Sequence, residues 1–295
     1  MAAYVRIGHH KTVDAFRAHL KDQNIDLPCD DEIRKALDSP LAQTAEYGGF
    51  KIGNRFCIHP MEGWDAESDG SPSEYTTRRW HNFGLSGAKL IWGGEAVAVS
   101  PEGRANPNQL YVSDASKPGI GKLRETLLAA HKEHVGNTDD LYIGLQLTHS
   151  GRFCRPFDKA KLEPQTVYRH PILDGKFGIT DDSTLLSDDD IKAIIADYHK
   201  AADMAADLGY HFVDIKHCHG YLGHEFLSAF TRPGPYGGPF ENRTRFLREI
   251  VEGIRAKHPN LQIGVRLSAF DFVPYKPDPD QSEGKKLGPG IPEEF

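Results

Sequence analysis

His211-Phe212-Val213-Asp214-Ile215-Lys216-His217-Cys218-His219-Gly220-Tyr221-Leu222 begins as a buried strand and ends in a crowd of ionisable side chains. In an extended chain Phe212, Asp214 and Lys216 share one face, and Val213 and Ile215 share the other. With helices covering the strand, the apolar pair faces the helices. Asp214 and Lys216 then face the interior of a sheet or barrel and its mouth. Gly220 lets the backbone turn, and His217, Cys218, His219 and Tyr221 gather around that turn. A polar cluster at the carboxyl end of a parallel strand is where α/β enzymes keep their chemistry.

The flanking sequence repeats this plan. Strands are expected at Arg55–His59, at Ala88–Ala98 with an interruption at Gly93-Gly94, at Leu141–Leu147 and at Gln262–Ser268. Between them the apolar spacing predicts helices. One starts at Ser71-Pro72-Ser73-Glu74, which resembles a capping box with proline at the first helical position, and stops near Gly84. A second covers Lys122–Val135, after a loop over Asn106–Pro118. A third covers Asp188–Leu208, with Ser187 and Asp190 as its cap and Gly209 at its end. The fourth is Asn242–His258. The stretch from Thr148 to about Leu186 is long enough to be a functional excursion. Residues 1–49 read as an extension or cover, with short helices at Asp14–Lys21 and Asp31–Leu37. Residues 50–295 read as the main domain, ending in a loop over Pro274–Phe295.

Strand alternating with helix implies a parallel sheet. Polar candidates fall at successive strand ends: Glu62, Glu95, Gln146 with His149, Lys216 with His219, and Arg266. Strand ends converging on one mouth point to an α/β fold of the TIM-type (β/α)8 barrel class. An open doubly wound sheet is the alternative, but no G-x-G-x-x-G follows the first strand. Five strands are found where a closed barrel needs eight, so the C-terminal strands are expected to be missing from this chain.

The 295 residues carry a formal net charge of −7 and no basic stripe, which argues against a nucleic-acid partner. No apolar run approaches a membrane span, and none has the length of a signal peptide. The four cysteines, Cys29, Cys57, Cys154 and Cys218, form no C-x-x-C pair, so a reducing cytoplasm is the simplest setting. A small-molecule substrate is the expected partner, and a homo-oligomer is left open.

His217-x-His219, with Cys218 and His224, offers zinc-compatible donors on one face if the strand persists. A third ligand from another strand is not evident, so no metal is assigned; a metal-dependent hydrolase remains an alternative. The plain reading of His217 is a hydrogen-bonded histidine packed behind the strand. For Lys216 it is an ion pair with Asp214. Tyr221 is either a packed aromatic or a proton donor whose pKa the positive neighbours lower. Gln146 and Arg266 read as inward polar groups needing partners. Glu62 and Glu95 read as partners for arginines, and Cys57 and Cys154 as packing residues.

Gly144-Leu145-Gln146-Leu147-Thr148-His149-Ser150-Gly151-Arg152, Glu95-Ala96-Val97-Ala98-Val99-Ser100-Pro101-Glu102-Gly103-Arg104, His219-Gly220-Tyr221-Leu222 and Tyr236-Gly237-Gly238-Pro239-Phe240-Glu241-Asn242-Arg243 resemble the old yellow enzyme family of NADH:flavin oxidoreductases. The resemblance covers roughly Phe50 to Ser268. It implies an eight-stranded barrel with FMN at its mouth and NADH or NADPH as electron donor, reducing an activated C=C bond. An oxidative reaction on an amine or alcohol also lies within the family. By motif, Pro60, Met61 and Glu62 would line the flavin, Ala96 would back the ring and Gln146 would meet its pyrimidine edge. Arg266 would sit near N1–O2, His219 would bind the substrate oxygen and Tyr221 would be the proton donor. Two positions depart from the family. Glu62 stands where relatives carry a small or sulfur-bearing residue, and Lys216 replaces the first histidine of a His-x-x-His or His-x-x-Asn pair. Nothing in this chain matches the family's FMN-phosphate site, so a truncated, non-catalytic remnant of the flavoenzyme is a further alternative.

Overall fold

The computed structural model describes residues 5–270 and two short pieces, Tyr275–Lys276 and Ile291–Pro292; the loop expected over Pro274–Phe295 lies otherwise outside the described residues. After helix α1 (Val13–Asp22) come strands β1 (Ala45–Tyr47), β2 (Phe50–Ile52) and β3 (Cys57–Ile58), then helix α2 (Glu74–Leu85). Strands β4 (Leu90–Ile91) and β5 (Ala96–Ala98) are the two halves of the interrupted strand. They are followed by α3 (Lys117–Val135), β6 (Tyr142–Thr148), the short α4 (Leu173–Phe177), α5 (Asp188–Asp207) and β7 (Phe212–His217). Helices α6 (Leu222–Leu227), α7 (Phe240–Arg243) and α8 (Arg245–Lys257) lead to β8 (Gln262–Leu267).

The main sheet is parallel and runs in chain order, β3-β4-β6-β7-β8, with β5 also pairing with β6. Its register fixes the two faces. Gln146 lies opposite Asp214, Asp214 opposite Gly264, and Lys216 opposite Arg266. Because side chains alternate, all of these share one face, while Ile143, Leu145, Leu147, Val213 and Ile215 share the other. The second set joins the large core with Ile191, Ile194, Ile195 and Tyr198 of α5 and Phe246 and Ile250 of α8. Burying each such side chain fully contributes about 1.5–3 kcal/mol.

The inward face is graded from apolar floor to charged mouth. At the floor Tyr142 stacks on Phe212 at 5.2 Å between ring centroids, and Trp92 meets Phe212 at 5.1 Å. The antiparallel hairpin β1–β2 closes this end, with Ile52 buried against Tyr142 and Phe212. Gly48 and Gly49, at φ 56° and 79°, supply the positive-φ turn that a two-residue hairpin needs. This hairpin straddles the boundary expected at 49/50, between the segment read as an extension or cover and the main domain.

Several element ends differ from expectation. Helix α2 is capped by Ser73, whose hydroxyl accepts from Thr76 N–H at 3.3 Å, so Pro72 precedes the cap rather than opening the helix. Helix α3 starts at Lys117, not Lys122; Pro118 fits its first turn, where a missing N–H costs nothing. No α-helix forms at Asp31–Leu37, only a 3-10 turn at Ala36–Asp38. Ile33 and Leu37 there are 87% and 83% exposed, and so short a segment gains no helix without packing. The helix expected over Asn242–His258 is two pieces, broken at Thr244, whose hydroxyl turns back to the Phe240 carbonyl. Helix α5 keeps its capping box, with Asp190 Oδ2 accepting from Ser187 N–H at 2.8 Å.

Helices α2 and α3 approach so closely at Gly84 that a Cβ there would lie 2.5 Å from the Leu127 carbonyl oxygen. Backbone cannot move aside as a side-chain tip can. Gly84→Ala is expected to cost about 1–3 kcal/mol, read as a lower urea midpoint at unchanged slope. An unchanged midpoint would show that this helix pair is not tightly seated.

Candidate active site at the sheet's carboxyl end

The loop after β3 places the first site residues. Pro60 is buried, Met61 is 64% exposed, and Glu62 lies between solvent and core. The loop is held by its backbone and by a buried carboxylate. Ala96 N–H donates to the Met61 carbonyl at 3.1 Å, and Gly63 N–H donates to Glu95 Oε1 at 2.8 Å. Arg79, on α2, donates to Glu95 Oε2 at 2.5 Å and to Asp65 at 2.6 and 3.0 Å. Burial pushes the Glu95 carboxyl up, to about 7, against the pull of Arg79 and the Gly63 N–H. Glu95 thus has the arginine partner expected for it, and its work is to hold the loop that carries Glu62. Neither Arg79 nor Asp65 was singled out in the sequence. They lie 14 residues apart on different elements, and no local spacing connects them.

Glu62 does not pair with an arginine. Its Oε1 receives the Lys216 ammonium, and its Oε2 accepts from the Tyr221 hydroxyl at 2.8 Å. The Lys216 Nζ also lies 3.8 Å from the centroid of the Tyr221 ring. Three candidates from the ends of two distant strands therefore form one contact set. The expected Lys216–Asp214 pair is not made: Lys216 reaches out to Glu62, and Asp214 Oδ2 accepts from the Gln146 amide at 2.5 Å. Burial raises the Asp214 carboxyl.

Tyr221 departs from expectation in its electrostatics. Its pKa is raised, first by burial and then by the Glu62 carboxylate, which both repels the phenolate and holds the phenol's proton. Lys216 lies close by, with its ammonium engaged by Glu62 Oε1.

Strand β7 ends at His217, so His217 and His219 do not point together as continued alternation required. His217 is buried behind the strand, 5.9 Å from the Phe246 ring, and burial pushes its pKa down to about 3. His219 is exposed and takes φ 64°, in the left-handed region where few residues other than glycine sit, followed by Gly220 at φ 70°. Such a conformation persists only where its surroundings enforce it. Burial lowers the His219 pKa, Lys216 and Arg266 lower it further, and Glu62 opposes them, which places all four within electrostatic reach. The zinc-like donor pair is thereby split between a core position and a surface turn.

Ala96 is buried and pairs with Gln146 across β5–β6; Gln146 is buried and inward; Arg266 is half-buried beside Lys216. Cys154 is buried, as a packing residue would be, and burial raises its thiol; Cys57 is half-buried and raised the same way. The excursion after β6 is pinned by Arg152, which meets Asp174 at 2.5 Å and Glu225 at 2.7 Å, an anchor not legible in the sequence. The donor set at the mouth is an amide, a lysine, an arginine and a phenol around a small residue. This suits a flat, mostly apolar ring with a polar edge, so the residues present fit a flavin ring.

A family model described as NADH:flavin oxidoreductase / NADH oxidase matches residues 43–285. The NADPH dehydrogenase of Bacillus subtilis is 32% identical over 226 residues, covering 75% of this chain and 61% of that protein. The NADPH dehydrogenase of Clostridium acetobutylicum is 29% identical over 228 residues, with the same coverage. Among solved structures, the old yellow enzyme homologue of Zymomonas mobilis matches with TM-score 0.60 and 25% identity over 77% of this chain and 62% of that one. Morphinone reductase in complex with tetrahydroNAD matches with TM-score 0.61 and 24% identity over 77% and 63%. The likeness identifies the fold as a (β/α)8 barrel, which the described strands leave unclosed. The chain spans about three-fifths of the length of these relatives.

Arg79→Met would leave Glu95 buried without its cation and free the Glu62 loop. Loss of one partner of a buried pair costs about 3–5 kcal/mol. Thermal and urea unfolding should show a loss in that range, partly recovered when Glu95→Gln is added. A loss under about 1 kcal/mol would mean that Asp65 and the backbone bonds hold the loop without Arg79.

Proposed function

The chain belongs to the NADH:flavin oxidoreductase / NADH oxidase family, and on that premise we propose that it serves an FMN-dependent enzyme that uses NADH or NADPH to reduce an activated carbon–carbon double bond. The observation that carries this reading is the meeting of Lys216 and Tyr221 at Glu62, at the same sheet mouth as Gln146 and Arg266. FMN, when bound, supplies the two-electron exchange between nicotinamide and substrate. Among this chain's residues, Pro60, Met61 and Glu62 line the ring and Ala96 gives it room. Gln146 would meet its pyrimidine edge, and Arg266 would bring positive charge to the N1–O2 side.

The remaining residues handle the substrate. His219, held outward by its left-handed turn, hydrogen-bonds the oxygen that activates the double bond. Lys216 adds positive charge next to that oxygen and so stabilises the charge that develops there. Tyr221 gives its proton to the neighbouring carbon. A phenol with a raised pKa stays protonated through the physiological range, as a donor must. The substrate is a small molecule, and described residues include no helix long and apolar enough to cross a membrane.

The two half-reactions separate these roles. Tyr221→Phe removes the hydroxyl and keeps the ring, so reduction of the flavin by NAD(P)H should stay within a few fold. Reoxidation by an enone should slow by about two to four powers of ten, the usual worth of a positioned general acid. Lys216→Met should weaken substrate binding and slow reduction as well, because it removes a charge beside both ring and substrate. Stopped-flow absorbance times each half. Equal slowing of both halves by Tyr221→Phe would assign Tyr221 to packing or nicotinamide positioning and move the acid to His219.

A further inference from the structure

The direction of one hydrogen bond sets a condition on Tyr221. A phenol has a single hydrogen, and here it is given to Glu62 Oε2. If Tyr221 passed that proton to a substrate while Glu62 stayed ionised, a phenolate and a carboxylate oxygen would face each other at hydrogen-bond distance with nothing between them. Two acidic oxygens that close do not both ionise; they share a proton. The charge around them does not lift this condition, because the Lys216 ammonium is already engaged by Glu62 Oε1.

We propose that Glu62 is the proton carrier for Tyr221: it takes a proton from solvent, frees the phenol to protonate the substrate carbon, and returns the phenol to its neutral form. The proposal rests on Tyr221 being the substrate's proton donor. The balance is closed. The Tyr221 O–H bond breaks as a carbon–hydrogen bond forms, then the Glu62 O–H bond breaks as the Tyr221 O–H bond re-forms. The hydride and its electron pair come from NAD(P)H, so each turnover draws one proton from water through Glu62. Glu62 is placed for this, since its side chain keeps 11% of its surface in contact with solvent while both oxygens stay engaged. Lys216, against the Tyr221 ring, holds the ionised Glu62 in position, and once Glu62 is protonated its charge is free to steady the transient phenolate. The titratable groups facing Glu62 are Lys216 and Tyr221 by contact, with Cys218 and His219 from the end of β7 within electrostatic reach; Arg266 of β8 reaches the latter two. This gives a function to a carboxylate at a position where the family resemblance puts a small or sulfur-bearing residue.

The test follows the pH dependence of reoxidation by 2-cyclohexenone in the flavin-loaded protein. With one proton required on Glu62, the rate should fall about tenfold per pH unit above the break. Glu62→Gln should be slower and flat over the same range, and Glu62→Asp should keep the slope. Lys216, Cys218, His219 and Arg266 are unchanged in both variants, so loss of slope reports Glu62. An independent readout is the 13C resonance of the Tyr221 ring carbon Cζ in tyrosine-labelled protein, whose ionisation should move to lower pH in Glu62→Gln. A flat wild-type profile, a retained slope in Glu62→Gln, or an unmoved Tyr221 titration each overturns the proposal. If those results come with the expected slowing by Tyr221→Phe, only the carrier role falls. If Tyr221→Phe leaves reoxidation unchanged, the donor assignment falls and the carrier with it.

Discussion

Strands β6 and β7 are buried on both faces, and everything at the mouth depends on how that double burial is met. Parallel strands require cover on each side. On one side the cover is α5 and α8, packed on Ile143, Leu145, Leu147, Val213 and Ile215. On the other, the chain places Phe212, Asp214 and Lys216 in ascending order of polarity. A one-residue slip in register would send Lys216 into the helix-packed core and Ile215 into the mouth. The apolar face therefore selects the register, and the register aims the chemistry.

Given that aim, the inward polar groups must find partners, and they find them across strands. Gln146 donates to Asp214 Oδ2 across β6 and β7 below the lysine, while Asp214 Oδ1 stays buried without a partner among the described residues. Lys216 is answered by Glu62 at the mouth, a residue 154 positions earlier in the chain. That reach is possible because the loop after β3 is itself fixed, by Arg79 and Glu95 below it and by the backbone bond from Ala96 to Met61. The two positions that depart from the family resemblance, Glu62 and Lys216, are the two that contact each other. A lysine in place of a histidine brings a permanent charge, and a carboxylate opposite it keeps the buried mouth near neutrality. Tyr221 inherits the consequence, with a more tightly held proton than its cationic neighbours alone would give.

What the sequence by itself determined is the part governed by local periodicity. Alternation in Phe212–Lys216 identified inward and outward residues, Gln146 was read as inward at the end of its own strand, and the register places Gln146, Lys216 and Arg266 on one face. The Ser187–Asp190 cap and the stripe of Ile191, Ile194, Ile195 and Tyr198 gave α5 nearly to the residue. The spaced motifs pointed to the family that the comparisons bear out.

The tertiary structure decided the matters that depend on groups distant in the chain. It paired Glu62 with Lys216 rather than Asp214 with Lys216, and it turned the pKa of Tyr221 upward. It separated His217 from His219, because the strand ends at His217 and His219 takes a left-handed conformation. It also made residues 45–52 into a hairpin that seals the floor. Periodicity reports which face a side chain takes, because that is a property of consecutive φ and ψ angles. It does not report which charge waits on the neighbouring strand, and a buried ion pair or a shifted pKa belongs to both partners at once.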